Sequence, residues 1–274
     1  MNSVAPKNAP AASNAEVAEA QAALEPTPED PAVAKKLTEQ VGPPLPKFPA
    51  RAAPYKILIL GDSMAATDFG RQLERRLEKR ADIEVARRGK SATGLARPDY
   101  FDWMGEAKKR VQRHDPDLVV VIIGGNDGQD LIPKSKKTKP RRVFWHGDDW
   151  ADAYAQRVLD FSLTLLADHR RIVWLELPVM EHKSLERKLV KIRGIQKEAL
   201  GALMPRVAYV PTRPHFVGAK GEVLTKVNVT GYRRAQVLRQ DDGIHFTVPG
   251  SKYFAAKVAP DVLAALGLDQ GEAK

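Results

Sequence analysis

Tyr55-Lys56-Ile57-Leu58-Ile59-Leu60-Gly61-Asp62-Ser63 is the stretch whose reading decides the fold. An apolar run without alternation, bounded by a glycine turn, reads as a strand buried on both faces of a parallel sheet. The tight turn at Gly61 lifts the Ser63 hydroxyl to the carboxyl edge of that sheet, where ligands of open α/β sheets bind. A second run, Leu118-Val119-Val120-Val121-Ile122-Ile123, leads directly into Gly124-Gly125-Asn126-Asp127. An Asn amide at such a strand end is placed to donate to an oxyanion. Far downstream, Asp242-Gly243-Ile244-His245 sets a carboxylate three residues before an imidazole. Ser63, His245 and Asp242 supply a nucleophile, a base and an orienter, the three parts of activated-serine catalysis.

Gly-Asp-Ser, then Gly-x-Asn-Asp, then Asp-x-x-His, in this order over roughly Tyr55 to Leu266, resembles the SGNH (GDSL-type) hydrolase family. The stretch Thr93-Gly94-Leu95-Ala96-Arg97-Pro98-Asp99-Tyr100-Phe101-Asp102-Trp103 and the ending Asp241-Asp242-Gly243-Ile244-His245-Phe246-Thr247 resemble a bacterial envelope subgroup with no settled activity. The resemblance implies a three-layer α/β/α, flavodoxin-like fold around a five-stranded parallel sheet. It also implies a serine esterase or O-acyltransferase acting on small acyl groups, such as O-acetyl esters of a carbohydrate polymer. The oxyanion donors implied are the Ser63 N–H, the Asn126 amide and a glycine N–H after the second strand. The family's Ser-Gly-x-Thr spacing is disturbed, because Ala92 follows Ser91, and Gly94 and Gly89 compete for that last place, with Gly94 favoured.

Composition divides the chain in two. The first fifty residues hold nine of the twenty prolines and a net charge of −2, with no sustained apolar period beyond a helical window at Glu16 to Leu24. They read as a disordered tail or linker, because such a stretch buries too little apolar surface to offset its ordering entropy. Residues 51–274 carry a net charge of +12 and are long enough for one α/β domain with a full core. A basic body favours anionic partners. Nothing that reads a groove or stacks on bases accompanies the charge, so nucleic acid is not the expected partner.

The 274 residues include no cysteine, no run of about eighteen apolar residues and no apolar signal core at the N-terminus. The resemblance implies a periplasmic, envelope or secreted address, and the tail composition suits a processed form of an exported protein.

Five strand-like runs alternate with helical periodicity: Tyr55–Leu60, Ile83–Arg87, Leu118–Ile123, Arg171–Leu177 and Val207–Val210. Phe69, Leu73 and Leu77 recur at helical spacing, as do Tyr154, Val158, Phe161, Leu165 and Leu166, and further helices fall at 102–113, 185–200 and 249–266. This alternation predicts a doubly wound parallel sheet. Loops at 124–149 and 211–242 break the rhythm and are expected to shape the site.

Arg97, Asp99 and Trp103 have two readings, a proline-fixed helix entry or a substrate wall suited to a sugar. The run Lys134 to Arg142, with Lys136, Lys137, Lys139 and Arg141, is either a solvated loop or a contact for an anionic polymer. Gly89-Lys90-Ser91 fails as a phosphate loop because Glu84 stands where the first glycine belongs. Gly-x-Ser-x-Gly and His-Glu-x-x-His are absent, so no metal or cofactor is expected. A reading from another class is a non-catalytic protein that holds an anionic envelope polymer on the same fold. The intact Ser63, Asp242 and His245 argue against it.

Overall fold

The computed structural model describes residues 52–268 except 136, 138 and 140. The tail reading for residues 1–50, its helical window included, lies outside the described residues.

Five strands, β1 (Tyr55–Gly61), β2 (Ile83–Gly89), β3 (Leu118–Ile122), β4 (Arg171–Leu175) and β5 (Val207–Val210), form one parallel sheet in the order β2-β1-β3-β4-β5. This is the flavodoxin-like order, with its switch point between β1 and β3. The helices are α1 (Ser63–Ala66), α2 (Asp68–Leu77), α3 (Trp103–His114), α4 (Trp150–Leu165), α5 (Lys183–Gly201) and α6 (Val248–Ala265). α2 packs on α6, while α3 packs on α4 and α4 on α5, so that the sheet lies between two helical layers.

Ile57 to Leu60 and Leu118 to Ile123 are buried throughout, which is why their sequence runs show no alternation. Strand and helix limits agree with the periodicity to within two residues, except that α4 begins at Trp150, four residues before the periodic run from Tyr154. β4 stops at Leu175 rather than Leu177; the Glu176 N–H still reaches the Val210 carbonyl, and its carboxylate accepts the N–H groups of Thr212 and Arg213.

Gly61 is required by close approach. A Cβ there would lie 1.9 Å from the Ile122 carbonyl oxygen, where β1 and β3 run side by side. The long loops are pinned rather than open. Leu131 bridges Val143 in the first, and the second contains a hairpin of β6 (Lys226–Val227) and β7 (Gln236–Val237) that periodicity did not reveal.

Candidate active site

Ser63 opens α1 at the switch point, directly after Asp62. Asp62 is 1% exposed. One of its carboxylate oxygens accepts the Met64 N–H at 3.0 Å, and the other accepts those of Gly124 at 3.1 Å and Gly125 at 2.9 Å. One carboxylate thus fixes the serine turn to the turn that carries Asn126. Burial, helped by the neighbouring Asp127 charge, pushes its pKa up to about 6 against the pull of those three N–H groups.

Asp127 organises the loop after β2. It is fully buried and accepts the N–H groups of Leu95 and Ala96 and the Tyr154 hydroxyl, each within 3.0 Å. Burial raises its pKa, with those bonds and Arg157 opposing. Asn126 donates its amide to the Thr93 carbonyl at 2.9 Å. Trp103 donates its indole N–H to the Thr93 hydroxyl, which in turn donates to the Lys90 carbonyl.

The two competing glycines are both committed to packing. A Cβ on Gly94 would lie 2.0 Å from an Asp127 carboxylate oxygen, and one on Gly89 would lie 2.1 Å from the Ala66 nitrogen. Ala92, by contrast, sits at φ 58°, in the left-handed region that glycine favours. It therefore adopts the backbone conformation of the glycine missing after Ser91.

Asp242 and His245 meet as their spacing predicts. His245 Nδ1 lies 2.6 Å from one Asp242 carboxylate oxygen, and the other accepts the N–H groups of Ile244 and His245. Partial burial works to raise the Asp242 pKa, but these hydrogen bonds prevail and hold it below the ordinary carboxylate value. The turn is docked through the Gly243 carbonyl, which accepts the N–H groups of Glu181 and His182.

Sequence reasoning missed Arg239. It is 4% exposed, lies over the Phe246 ring, and donates to the carbonyls of Ile244 and Val179. Burial pushes its pKa down to about 9 despite Glu181, Glu186 and Asp242 nearby. Arg239→Met is expected to leave two carbonyls without donors and to lower stability by about 1–3 kcal/mol. Thermal unfolding checks this, and turnover should fall with it because the His245 turn loses its anchor.

Ser63, Asn126 and His245 line one cavity of about 320 Å³, with Asp242 behind His245. Met64, Leu177, Met180, Leu185 and Ile244 make its apolar wall, and His182, Ser184 and Lys188 add polar groups that no local motif announced. Asp99, Gly94 and Trp103 do not line this cavity. Asp99 faces a separate one with Lys134 and Arg141, and Gly94 and Trp103 face a third. Trp103 is 2% exposed and packs edge-on against Phe101, while Arg97 and Asp99 pair with each other at 2.8 Å. Of the two readings of this stretch, the geometry matches the helix entry, with Asp102 capping α3. In the basic run, Lys134 pairs with Asp102 and Arg142 with Asp130.

Residues 56–261 match the family described as "Protein of unknown function (DUF459)". Comparison with curated proteins finds no match. Among solved structures, a lipase/acylhydrolase from Enterococcus faecalis aligns with TM-score 0.53 at 15% identity, over 77% of this chain and 96% of that one. A GDSL-like lipase from Bacteroides thetaiotaomicron aligns with TM-score 0.52 at 14% identity, over 86% and 97%. An acetylxylan esterase from Geobacillus stearothermophilus aligns with TM-score 0.51 at 17% identity, over 81% and 98%. The chain therefore belongs to the DUF459 family of proteins of unknown function, built here on the three-layer fold of the SGNH (GDSL-type) hydrolases.

Proposed function

We propose that this protein is a serine esterase or O-acyltransferase acting on small acyl esters, with O-acetyl groups of a carbohydrate polymer as the substrate class. The observation that carries this reading is the 2.6 Å bond between Asp242 and His245, with His245 lining the same cavity as Ser63 and Asn126. In the reaction Ser63 Oγ attacks the acyl carbon as His245 Nε2 takes its proton. The tetrahedral oxyanion is held by the Ser63 N–H, the Asn126 amide and a donor from the loop after β2. Gly94 and Ala92 are the candidates for that donor: neither lines the cavity, but Ala92 has the glycine-like φ of 58° and both flank Thr93, whose carbonyl accepts the Asn126 amide. The oxyanion then collapses to an acyl-serine, and His245 returns the proton to the leaving alcohol. Water or a sugar hydroxyl attacks next, giving its proton to His245, and the second tetrahedral intermediate collapses to the new acid or ester as His245 returns that proton to Ser63 Oγ. Asp242 holds the imidazole tautomer and stabilises its cation.

The small cavity with its apolar wall supports a short acyl group, and the acetylxylan esterase among the structural neighbours supports an acetylated glycan. Periplasmic or envelope location belongs to the same reading. No helix among the described residues is long and apolar enough to cross a membrane.

A phosphonate ester that mimics an acyl substrate tests the reading directly. It should add covalently to Ser63 in the wild-type protein, as seen by mass spectrometry of the peptide, and not to Ser63→Ala. Absence of labelling at Ser63 would reject the mechanism.

Asn126 adds a separate expectation. Asn126→Ala should lower kcat by roughly 10- to 1,000-fold with a smaller change in KM, because its bond matters chiefly in the transition state. Steady-state kinetics separates this from a turn-forming role, which would move the melting temperature while kcat holds.

A further inference from the structure

The positive charge of this domain gathers where the sequence run does not show it. Gln72, Arg75, Arg76 and Lys79 stand at helical spacing on α2 and just past its C-terminal end, flanking the face that buries Phe69, Leu73 and Leu77. Lys252 and Lys257 of α6 face them, and together they line a cleft of about 480 Å³ that also holds Asn228, Thr230 and Tyr253. Its lining contains five cations and no carboxylate. All five are exposed, and among the described residues none has an acidic side chain within ion-pair distance.

The α2 dipole accounts for part of this cluster, because cations near a helix C-terminus are favoured. It does not account for Lys252, which lies early in α6 near the opposite end of that helix's dipole. Nor does it remove the repulsion between Arg75 and Lys79, whose i,i+4 spacing sets like charges against each other. The only polar contacts seen for the α6 lysines are internal: Lys252 reaches the Tyr232 hydroxyl and lies over its ring, and Lys257 lies over Tyr253.

We propose that the α2–α6 cleft is a binding site for an acidic polysaccharide, its carboxylate, sulfate or phosphate groups held by Arg75, Arg76, Lys79, Lys252 and Lys257. Gln72, Asn228 and Thr230 supply uncharged donors and acceptors of the kind that sugar hydroxyls need. Single-stranded nucleic acid fits less well, since bases bind on free aromatic faces. Here, among the described residues, Tyr253 is the one aromatic residue lining the cleft, its hydroxyl is tied to the His215 carbonyl, and Lys257 lies over one face of its ring. A membrane surface fits less well still, because the cations line a concavity. The cleft and the catalytic cavity have no lining residue in common, so this proposal is read by binding and does not depend on turnover.

The test uses the full chain and a fluorescently labelled oligogalacturonate, with neutral dextran oligomers and single-stranded oligonucleotides as comparisons. Expected is binding to the oligogalacturonate that weakens with salt, since exposed charges are screened over about 8 Å at physiological ionic strength. The combined variant R75E/R76E/K252E/K257E should lose at least about tenfold in affinity. The neutralising variant R75Q/R76Q/K252Q/K257Q should lose affinity in the same direction, which guards against a fold defect in the first. Hydrolysis of a small neutral acetyl ester should be unchanged in both. Equal affinity in wild type and both variants, no binding to oligogalacturonate, or tighter binding to an oligonucleotide of equal charge would each overturn the assignment.

Discussion

Replacing Ser63 by alanine is expected to lower turnover of a small acetyl ester by about four or more orders of magnitude while the fold stays intact. The size follows from the triad acting as a unit, so that loss of the nucleophile removes nearly all that Asp242 and His245 contribute. The fold should survive because no hydrogen bond of the Ser63 hydroxyl holds it among the described residues. The turn is kept by Asp62, which caps the Met64 N–H, and by the Ser63 carbonyl, which accepts from Thr67. His245→Ala should lose a similar amount, since the turn is held through backbone groups at Gly243, Ile244 and His245. The acid limb of the pH profile is not set by Asp242, whose carboxyl is held below its ordinary range and stays ionised well into acid. Turnover, unfolding temperature and circular dichroism on the same samples decide the matter. Equal turnover in wild type and Ser63→Ala would remove the enzyme reading.

Asp62→Asn should combine a loss of stability with a loss of rate. An amide has one acceptor oxygen, so either the Met64 N–H or those of Gly124 and Gly125 must face an NH₂ group. A buried donor left unpaired costs about 1–3 kcal/mol, partly offset here because the variant no longer buries a charge. The sign of the pH dependence is set by the raised pKa. Between the ordinary value of 3.8 and the folded value of about 6, the folded protein binds more protons at Asp62 than the unfolded chain does. The Asp62 contribution to stability therefore falls as pH rises through this window and is recovered as pH falls. The variant lacks that contribution, so the gap between wild type and Asp62→Asn should widen by about 1 kcal/mol from pH 7 to pH 5. Denaturant unfolding at both pH values measures it, and a gap that narrows would show that Asp62 is not buried as a costly charge. Turnover should drop by about 10- to 100-fold, because Ser63 and Asn126 would lose their common brace.

The sequence by itself determined the sheet and, within the candidate site, the pairing of Asp242 with His245. β1 and β3 were legible because strands buried on both faces must be apolar at every position, and the glycine turns at their ends mark where each strand stops. The Asp242–His245 contact was legible because a spacing of three lets one turn bring the carboxylate to the imidazole, and the place of Ser63 was legible because a glycine turn ends β1 just before it. Asn126 was legible because it follows a strand end directly. All of this information is local.

What only the tertiary structure decided depends on groups about thirty to nearly two hundred residues apart. Asp62 reaches across 62 positions to Gly124 and Gly125, Asp127 reaches back to Leu95 and Ala96, and Arg239 joins the His245 turn to Val179. No period or spacing announces such contacts, because a buried carboxylate or guanidinium is placed by whichever backbone groups need a partner once the elements pack. The same dependence places Gly94, Arg97, Asp99 and Trp103 outside the cavity lined by Ser63, Asn126 and His245, since the Trp103 indole is tied to Thr93. Charge followed the same rule. In the run that stands out in the sequence Lys134 and Arg142 have carboxylate partners and Lys137, Lys139 and Arg141 have none among the described residues, while cations from residues 75 to 257 converge on the α2–α6 cleft. Local sequence sets which charges exist, and helix packing sets which of them remain together and unneutralised.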